Sequence, residues 1–180
     1  MAISVPRYTV DDLERFPRDG NRYELLDGML LVTPAPRLAH QLVASRLLQA
    51  LAAVSREVAH VVGPGAVVRV PHTQLEPDLL VFPSSFSPSL RWADITGHWL
   101  AVEVLSRSSR WYDREYKRDA YFQLGVREVW LVDIEARSVD VWRSRTEQEV
   151  VRDAIHWSVP TTELAVEFPL DALFAGLSEA

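Results

Sequence analysis

The chain of 180 residues contains no cysteine and only one lysine, Lys117, beside eighteen arginines. The lack of cysteine excludes disulfides and thiolate zinc sites, and it fits the reducing conditions of a cytoplasm. The first residues lack the apolar run of a signal peptide, and no uncharged stretch elsewhere is long enough to span a bilayer. We therefore expect a cytoplasmic protein that does not enter membranes.

An excess of positive charge is also missing, because the net charge is −6. This balance argues against strong, indiscriminate nucleic-acid binding by the whole surface. A local surplus remains in segment 107–119, which holds five basic and three acidic side chains. The chain has no glycine-rich phosphate loop and no Gly-x-Ser-x-Gly motif, so nucleotide-driven and serine-hydrolase chemistry have no support.

The length and the hydrophobic content of 48% indicate one globular domain, residues 1–180. Apolar periodicity, caps and breakers predict four helices, at Thr9–Phe16, 37–57, Ser109–Leu124 and Leu170–Leu177. They also predict strands at Arg22–Leu26, Met29–Thr33, Ala66–Val70, Leu79–Phe82, Trp99–Leu105, Glu128–Asp133, Val139–Trp142 and Val150–Trp157. The Asp27-Gly28 turn joins the first two strands into a hairpin. We expect an α/β fold with a mixed sheet flanked by helices.

Two of the predicted strands carry a carboxylate in an otherwise apolar run. Glu103 lies in the middle of Trp99–Leu105, and Asp78 stands just before Leu79–Phe82. Uninterrupted apolar strands are generally covered on both faces, so these carboxylates need a proton, a cation or a metal. Asp78 capping a turn and Glu103 pairing with an arginine are the simpler explanations. As metal ligands, the two would suit Mg2+ or Mn2+.

The single lysine is the natural counterpart of these acids. At 100° per residue, Lys117 falls on the apolar face of its predicted helix, beside Tyr116, Tyr121 and Leu124. A buried ammonium is costly unless negative partners compensate it. The alternative is a side chain that extends to solvent over its apolar stem.

Several of these residues form an ordered set that resembles a known family. The set comprises Tyr23–Gly28, Pro34-Ala35-Pro36 with His40, Pro77-Asp78, Val102–Ser106, Asp113, Lys117, Tyr121 and Gly125–Asp133. It resembles the PD-(D/E)XK nuclease superfamily, and within it the Uma-type branch of bacterial restriction-endonuclease-like proteins, from about Tyr8 to Trp142. The superfamily pattern expects a lysine where this chain has Leu105. The Uma-type branch takes it from the following helix, where Lys117 stands.

The resemblance implies a restriction-endonuclease-like fold and Mg2+- or Mn2+-dependent hydrolysis of DNA. It assigns Asp78 and Glu103 to the metal, with a backbone carbonyl near Val104 as a further ligand. Lys117 would orient the attacking water and stabilise the developing negative charge. Glu24 is the candidate for a fourth acidic group, which would act through water or a second metal. The alternative is that Glu24 is simply an exposed glutamate of the hairpin.

Three further residues are candidates for supporting roles. Asp113 is placed to hold Lys117 through an i,i+4 pair, Tyr121 to shape the pocket, and His40 to contact a phosphate or act as a base. Simple alternatives remain for each: helix pairing, core packing, and a surface or capping histidine. Trp92 and Trp111 flank the site in sequence, where either would stack on a base or fill a dimer contact.

Two alternatives to an enzyme remain open. One is a catalytically inactive nuclease-fold binding module, and the other is a homo-oligomeric assembly protein whose ionic cluster is a salt-bridge network. Metal density between Asp78 and Glu103 in Mn2+-soaked crystals would support the enzyme, whereas an arginine salt bridge filling that place would exclude it. We expect a homo-oligomer, most simply a dimer, because small nucleases of this type often pair to address two strands.

Overall fold

The structure is a computed structural model in which residues 7–106 and 110–177 are described. It opens with a short helix, α1 (Val10–Leu13), whose N-cap Thr9 forms a capping box with Asp12. The strands β1 (Arg22–Leu26) and β2 (Met29–Thr33) then form an antiparallel hairpin. Its turn has positive φ at Asp27 (49°) and Gly28 (82°), the combination that favours Asp-Gly in two-residue turns.

Ten described strands form two larger sheets. The four-stranded antiparallel sheet has the order β2-β1-β5-β4, with β4 at Val67–Arg69 and β5 at Thr73–Leu75. The six-stranded sheet has the order β10-β9-β8-β7-β6-β3. Its strands are β3 (Ala59–Val62), β6 (Leu79–Pro83), β7 (Leu100–Val104), β8 (Glu128–Asp133), β9 (Ser138–Trp142) and β10 (Gln148–Val151). A separate hairpin follows, of β11 (Ala154–Ser158) and β12 (Ala165–Pro169).

Helices link and cover the six-stranded sheet. The long helix α2 (Leu38–Ser55) connects the N-terminal hairpin to β3. The crossover from β7 to its parallel neighbour β8 contains α3 (Arg110–Tyr112), a π-helical turn (Asp113–Lys117) and α4 (Arg118–Gln123). The chain's last described helix is α5 (Leu170–Leu173). This arrangement is the mixed α/β fold with an N-terminal hairpin that the sequence predicts.

The two faces of the six-stranded sheet carry different cores. Strand alternation places Leu100, Val102 and Val104 on the face covered by α2, α5 and the β11–β12 hairpin. Ala101 and Leu105 lie on the opposite face, in the cluster that includes Ala120 and Tyr121 of α4. Glu103 lies between Ala101 and Leu105 on that second face, so the fold directs its carboxylate towards the crossover.

The structure corrects several element boundaries. The predicted strand Val150–Trp157 is wrong, because Arg152 and Asp153 separate β10 from β11, and the two strands pair with different partners. Three short strands were not predicted: β3, β5 and β12. The first and last helices are shorter than Thr9–Phe16 and Leu170–Leu177, and the predicted start at Ser109 lies outside the described residues.

Candidate active site

Lys117 is buried at the end of the π-helical turn and is surrounded by three carboxylates. Its Nζ atom lies 2.7 Å from Glu24 Oε2, 3.3 Å from Glu103 Oε1 and 3.5 Å from Asp113 Oδ1. Burial lowers the pKa of Lys117, but the charges of Glu103, Glu24 and Asp113 outweigh it and raise the pKa above its ordinary value. The ammonium is therefore held in its charged form inside the protein.

Glu103 occupies the centre of this cluster and is itself 2% exposed. Its Oε1 atom accepts hydrogen bonds from Lys117 Nζ at 3.3 Å and from the Tyr121 hydroxyl at 2.5 Å. Burial raises the pKa of Glu103 well above 4.5, and repulsion from Asp113, Asp78 and Glu24 adds to it, while Lys117 works in the opposite direction. Since one ammonium faces three acids, the cluster favours a further proton or cation at Glu103.

Asp78 reaches the same face of the sheet from the neighbouring strand. The antiparallel register pairs Leu79 with Val102 and Leu80 with Ala101, and one further step sets Asp78 opposite Glu103. Asp78 Oδ2 accepts a hydrogen bond from the Val104 N–H at 2.8 Å. The two carboxylates thus converge because adjacent strands present them at one end of β6 and β7.

The other contacts of Asp78 come from two basic side chains. His40 Nε2, near the start of α2, lies 3.0 Å from Asp78 Oδ2, and Arg22 Nη2 lies 3.0 Å from Asp78 Oδ1. Burial pushes the pKa of Asp78 upwards, but the hydrogen bond and charge of His40, the charge of Arg22 and the Val104 N–H bring it below its ordinary value. Asp78 is therefore a stable anion.

Arg22 is the member of the site that the sequence analysis missed. It stands two residues before Glu24 on β1, so both side chains project from the same face of that strand. Besides Asp78, it donates from Nη1 to the backbone oxygen of Glu76 at 2.9 Å. The signal available in the sequence was this period-two spacing from a candidate carboxylate.

A cavity of about 590 Å³ opens onto the cluster. Asp78, Glu103, Asp113 and Lys117 line it from the sheet and the crossover. The remaining lining residues include Arg22, Arg37, His40, Arg110, Glu135 and the segment Thr33–Pro36. The cavity thus offers acidic groups on its floor and several basic groups around them, which is the lining that a cation together with a phosphate requires.

Glu24 and Tyr121 are fully buried and lie behind the cavity. Glu24 Oε2 contacts the Lys117 ammonium, and Glu24 Oε1 accepts a hydrogen bond from the Glu76 N–H at 2.7 Å. The alternative of an exposed hairpin glutamate is therefore wrong for Glu24. Its position suits holding the lysine better than contacting a substrate.

Ion pairs fix the crossover to the sheet next to the cavity. Arg114 contacts Asp140 at 2.6 Å and Asp133 at 3.3 Å, while Arg110 contacts Asp133 at 3.2 Å and Glu135 at 2.9 Å. The two arginines lie four residues apart, and Arg110 lines the cavity together with Lys117. They hold the crossover in the orientation that directs its ammonium inwards.

Three aromatic expectations had mixed outcomes. Tyr116 was expected on the apolar face beside Lys117, which is wrong, because its side chain is 41% exposed. It packs with Trp111 and Tyr112 on the outer side of the crossover. Trp92 packs against Phe82 in an edge-on contact. Base stacking and dimer contact remain predictions for Trp92 and Trp111.

Within residues 7–106 and 110–177, no group of three or more histidine, aspartate or glutamate side chains has an arrangement that would hold a metal ion. In the same ranges no helix combines the length and the apolar character needed to cross a bilayer. A cation in the cavity would therefore be bound by fewer than three of these side chains and would complete its coordination shell with other oxygen atoms.

The α/β fold of this chain also occurs in a solved structure. The fold is similar to that of a crystal structure described as a putative nuclease belonging to DUF820 from Anabaena variabilis ATCC 29413. The two share 21% sequence identity with a TM-score of 0.75, and the match covers 93% of this chain and 97% of the other.

The sequence itself gives the more specific relationship. Residues 10–172 match the Uma2 family, whose description is "Putative restriction endonuclease", and the chain belongs to this family. Among curated proteins, none matches the chain significantly. The family agrees with the resemblance drawn from the ordered set of residues in the sequence.

Proposed function

We propose that the protein is a Mg2+- or Mn2+-dependent endonuclease that hydrolyses phosphodiester bonds of DNA. The observation that carries the proposal is the position of the only lysine: its ammonium lies 3.3 Å from Glu103, at a cavity that Asp78 also lines. Membership of a restriction-endonuclease-like family supports the same conclusion.

The charges of the site fit a divalent cation. The four carboxylates of Asp78, Glu103, Glu24 and Asp113 outnumber their basic partners Arg22, Lys117 and His40. Asp78 and Glu103 are the two carboxylates that adjacent strands present to the cavity, and Mg2+ is commonly bound through one or two carboxylates and several waters. These two residues would hold the ion, with the Val104 carbonyl as a further oxygen. When bound, such an ion lowers the pKa of a coordinated water and neutralises charge on a phosphate.

Lys117 has the properties required of an electrostatic catalyst. Its raised pKa keeps it charged, and two of its three carboxylate contacts, at 3.3 and 3.5 Å, are long for charge-assisted hydrogen bonds. The ammonium can therefore exchange a weak contact for a phosphate oxygen or the attacking water. In comparable sites one such donor is worth about 3–4 kcal/mol of transition-state stabilisation.

The neighbouring residues position these groups. His40 acts through Asp78, because its Nε2 atom already contacts that carboxylate at 3.0 Å. Tyr121 orients Glu103, and Glu24 together with Asp113 anchors Lys117. The candidate reacting groups are thus Asp78, Glu103 and Lys117, and the others keep them in place.

The test is cleavage of supercoiled plasmid and of linear duplex DNA in Mg2+, in Mn2+ and in a chelator. We expect nicking that requires metal and falls by at least about a hundredfold in Asp78→Asn and Glu103→Gln, the size expected when a catalytic electrostatic group is removed. Glu115→Gln is the matched control, because Glu115 is an exposed carboxylate on the same π-helical turn. Equal nicking by all four proteins would indicate a contaminating nuclease and refute the proposal.

One observation favours the inactive alternative. Arg22 and His40 contact both oxygens of Asp78, so this carboxylate already has two basic partners without a metal. A non-catalytic protein of the family would bind DNA or assemble without needing a metal. Calorimetry separates the two functions: a wild-type protein that binds neither Mg2+ nor Mn2+ at millimolar concentration is not the proposed enzyme.

A further inference from the structure

Arg22 occupies the side of Asp78 from which a cation would be bound. Its Nη2 atom donates to Asp78 Oδ1 at 3.0 Å, and its side chain lines the cavity. The second oxygen of Asp78 is engaged by the Val104 N–H at 2.8 Å and by His40 at 3.0 Å. A cation that binds Asp78 therefore competes with a guanidinium for this carboxylate.

The guanidinium is held by two independent contacts. Its Nη1 atom donates to the backbone oxygen of Glu76 at 2.9 Å, a bond that does not involve Asp78. The side chain is 20% exposed, whereas Asp78 is 5% exposed, so Arg22 is the member of the pair with room towards the cavity. Loss of the Asp78 contact would thus leave the guanidinium anchored through Nη1 while Nη2 becomes available.

Electrostatics set a direction for the exchange. Burial lowers the pKa of Arg22, but Asp78, Glu103 and Glu24 raise it, so the group stays charged. Its positive charge partly neutralises the acidic cluster when no other cation is present. Because both are positively charged, the guanidinium repels a divalent ion, and the two compete for the same carboxylates.

We propose that Arg22 is a placeholder cation: it occupies Asp78 in the metal-free protein, yields that contact when a divalent cation binds, and then presents its free N–H to a phosphate oxygen. The inference rests on the proposed function. It adds a positioning residue that stabilises the empty site and couples metal binding to recognition of an anionic substrate. A guanidinium suits the second role because its planar fork matches phosphate geometry.

The experiment measures Mn2+ binding by calorimetry in the absence of DNA. Arg22→Gln removes the charge and keeps a polar side chain, and we expect it to bind Mn2+ roughly tenfold more tightly than wild type, as expected when a repelling neighbour is lost. Arg22→Lys keeps the charge, so its affinity should stay within about threefold of wild type. Arg91→Gln is the matched control, because Arg91 forms an exposed pair with Asp94 at 3.1 Å.

The outcomes are distinguishable. Equal or weaker Mn2+ binding by Arg22→Gln would show that Arg22 only orients Asp78, which overturns the placeholder role and leaves the proposed function intact. Tighter binding without any nuclease activity would support the placeholder and refute the enzyme. No Mn2+ binding by the wild type or any variant would refute both.

A second measurement uses the wild-type protein and does not depend on how the variants fold. The Nε–Hε resonance of Arg22, assigned by its absence from the spectrum of Arg22→Lys or Arg22→Gln, is followed by NMR during titration with Mg2+. We expect it to shift and to exchange faster with water as Mg2+ saturates. If the Val104 amide shifts while the Arg22 resonance does not, Mg2+ reaches Asp78 without displacing the guanidinium, and the inference is wrong.

Discussion

Replacing Glu103 by glutamine should separate metal binding from folding. The glutamine keeps the shape of the side chain and a carbonyl oxygen for the Tyr121 hydroxyl and Lys117 Nζ, which lie 2.5 and 3.3 Å from Glu103 Oε1. Lys117 also keeps Glu24 at 2.7 Å, so its ammonium stays compensated. The substitution removes a carboxylate whose ionised form is opposed by burial and by Asp113, Asp78 and Glu24, and therefore relieves that repulsion in the metal-free site.

The sign and pH range of the effect follow from the pKa of Glu103. Its folded-state pKa lies well above 4.5, so between pH 4.5 and that raised value the folded protein holds a proton that the unfolded chain has released. Wild-type stability therefore falls as pH rises through this window, whereas the glutamine does not titrate. The variant and the wild type should be equally stable near pH 4 and diverge towards pH 8.

Each pH unit of that window costs the wild type about 1.4 kcal/mol of stability, which the glutamine variant does not lose. For a chain of this length, each 1.4 kcal/mol corresponds to a difference of roughly 3–6 °C in Tm between the variant and the wild type. Thermal unfolding in a chelator, at several pH values, measures the gain, with Glu115→Gln as the control. Adding Mn2+ should raise the Tm of the wild type through binding to the folded state and leave Glu103→Gln unchanged. A large loss of stability in the chelator, or equal stabilisation of both proteins by Mn2+, would refute the reasoning.

Three further predictions concern Lys117, His98 and Gly63. Lys117→Met leaves three buried carboxylates without their ammonium and should lower the free energy of unfolding in urea by about 3–5 kcal/mol at pH 8. The loss should be smaller at pH 5, where carboxylates take up protons, and a loss that does not depend on pH would contradict this. Burial lowers the pKa of His98 from 6.5 to about 4, so the stability present above pH 6.5 is lost as the pH falls towards 4. His98→Leu should remove this loss of about 3 kcal/mol, and parallel profiles of stability against pH for the two proteins would contradict the prediction. A Cβ on Gly63 would lie 2.7 Å from the Asp78 backbone oxygen and 2.7 Å from Leu79 Cδ2, so Gly63→Ala should lower the free energy of unfolding by about 1–3 kcal/mol and weaken Mn2+ binding. An unchanged Mn2+ affinity in calorimetry would show that Asp78 tolerates the shift.

The fold was predictable where a local signal coincided with burial. The Asp27-Gly28 turn, the helix α2 and the strand β8 all follow from their own residues, and β8 matches its predicted bounds. The strands β3 and β5 escaped prediction because they have four and three residues, too few for a periodic pattern. β3 pairs with β6, and β5 pairs with its neighbour β4 and with the distant strand β1, a pairing that no local pattern reports.

The individual acidic and basic residues of the site were predictable from the sequence, but the ion pairs between them were not. Apolar surroundings identified Asp78, Glu103 and Lys117 as charges in need of partners. The pairing of Arg22 with Asp78 joins positions 56 apart in sequence, and eighteen arginines offered many equivalent choices. The tertiary fold, which brings β1 of one sheet to the start of β6 in the other, selects that one arginine.

The absence of lysine at position 105 has a structural reason. Leu105 is 4% exposed and belongs to the apolar cluster that holds α4 against the sheet, so a charged side chain there would disrupt this packing. The π-helical turn provides the alternative: its closing bond runs from the Arg118 N–H to the Asp113 oxygen, five residues apart. Asp113 and Lys117 lie four residues apart in this turn, on one face, and both are buried next to Glu103. The lysine thus reaches the carboxylates from the helix, and position 105 remains available for the core that orients that helix.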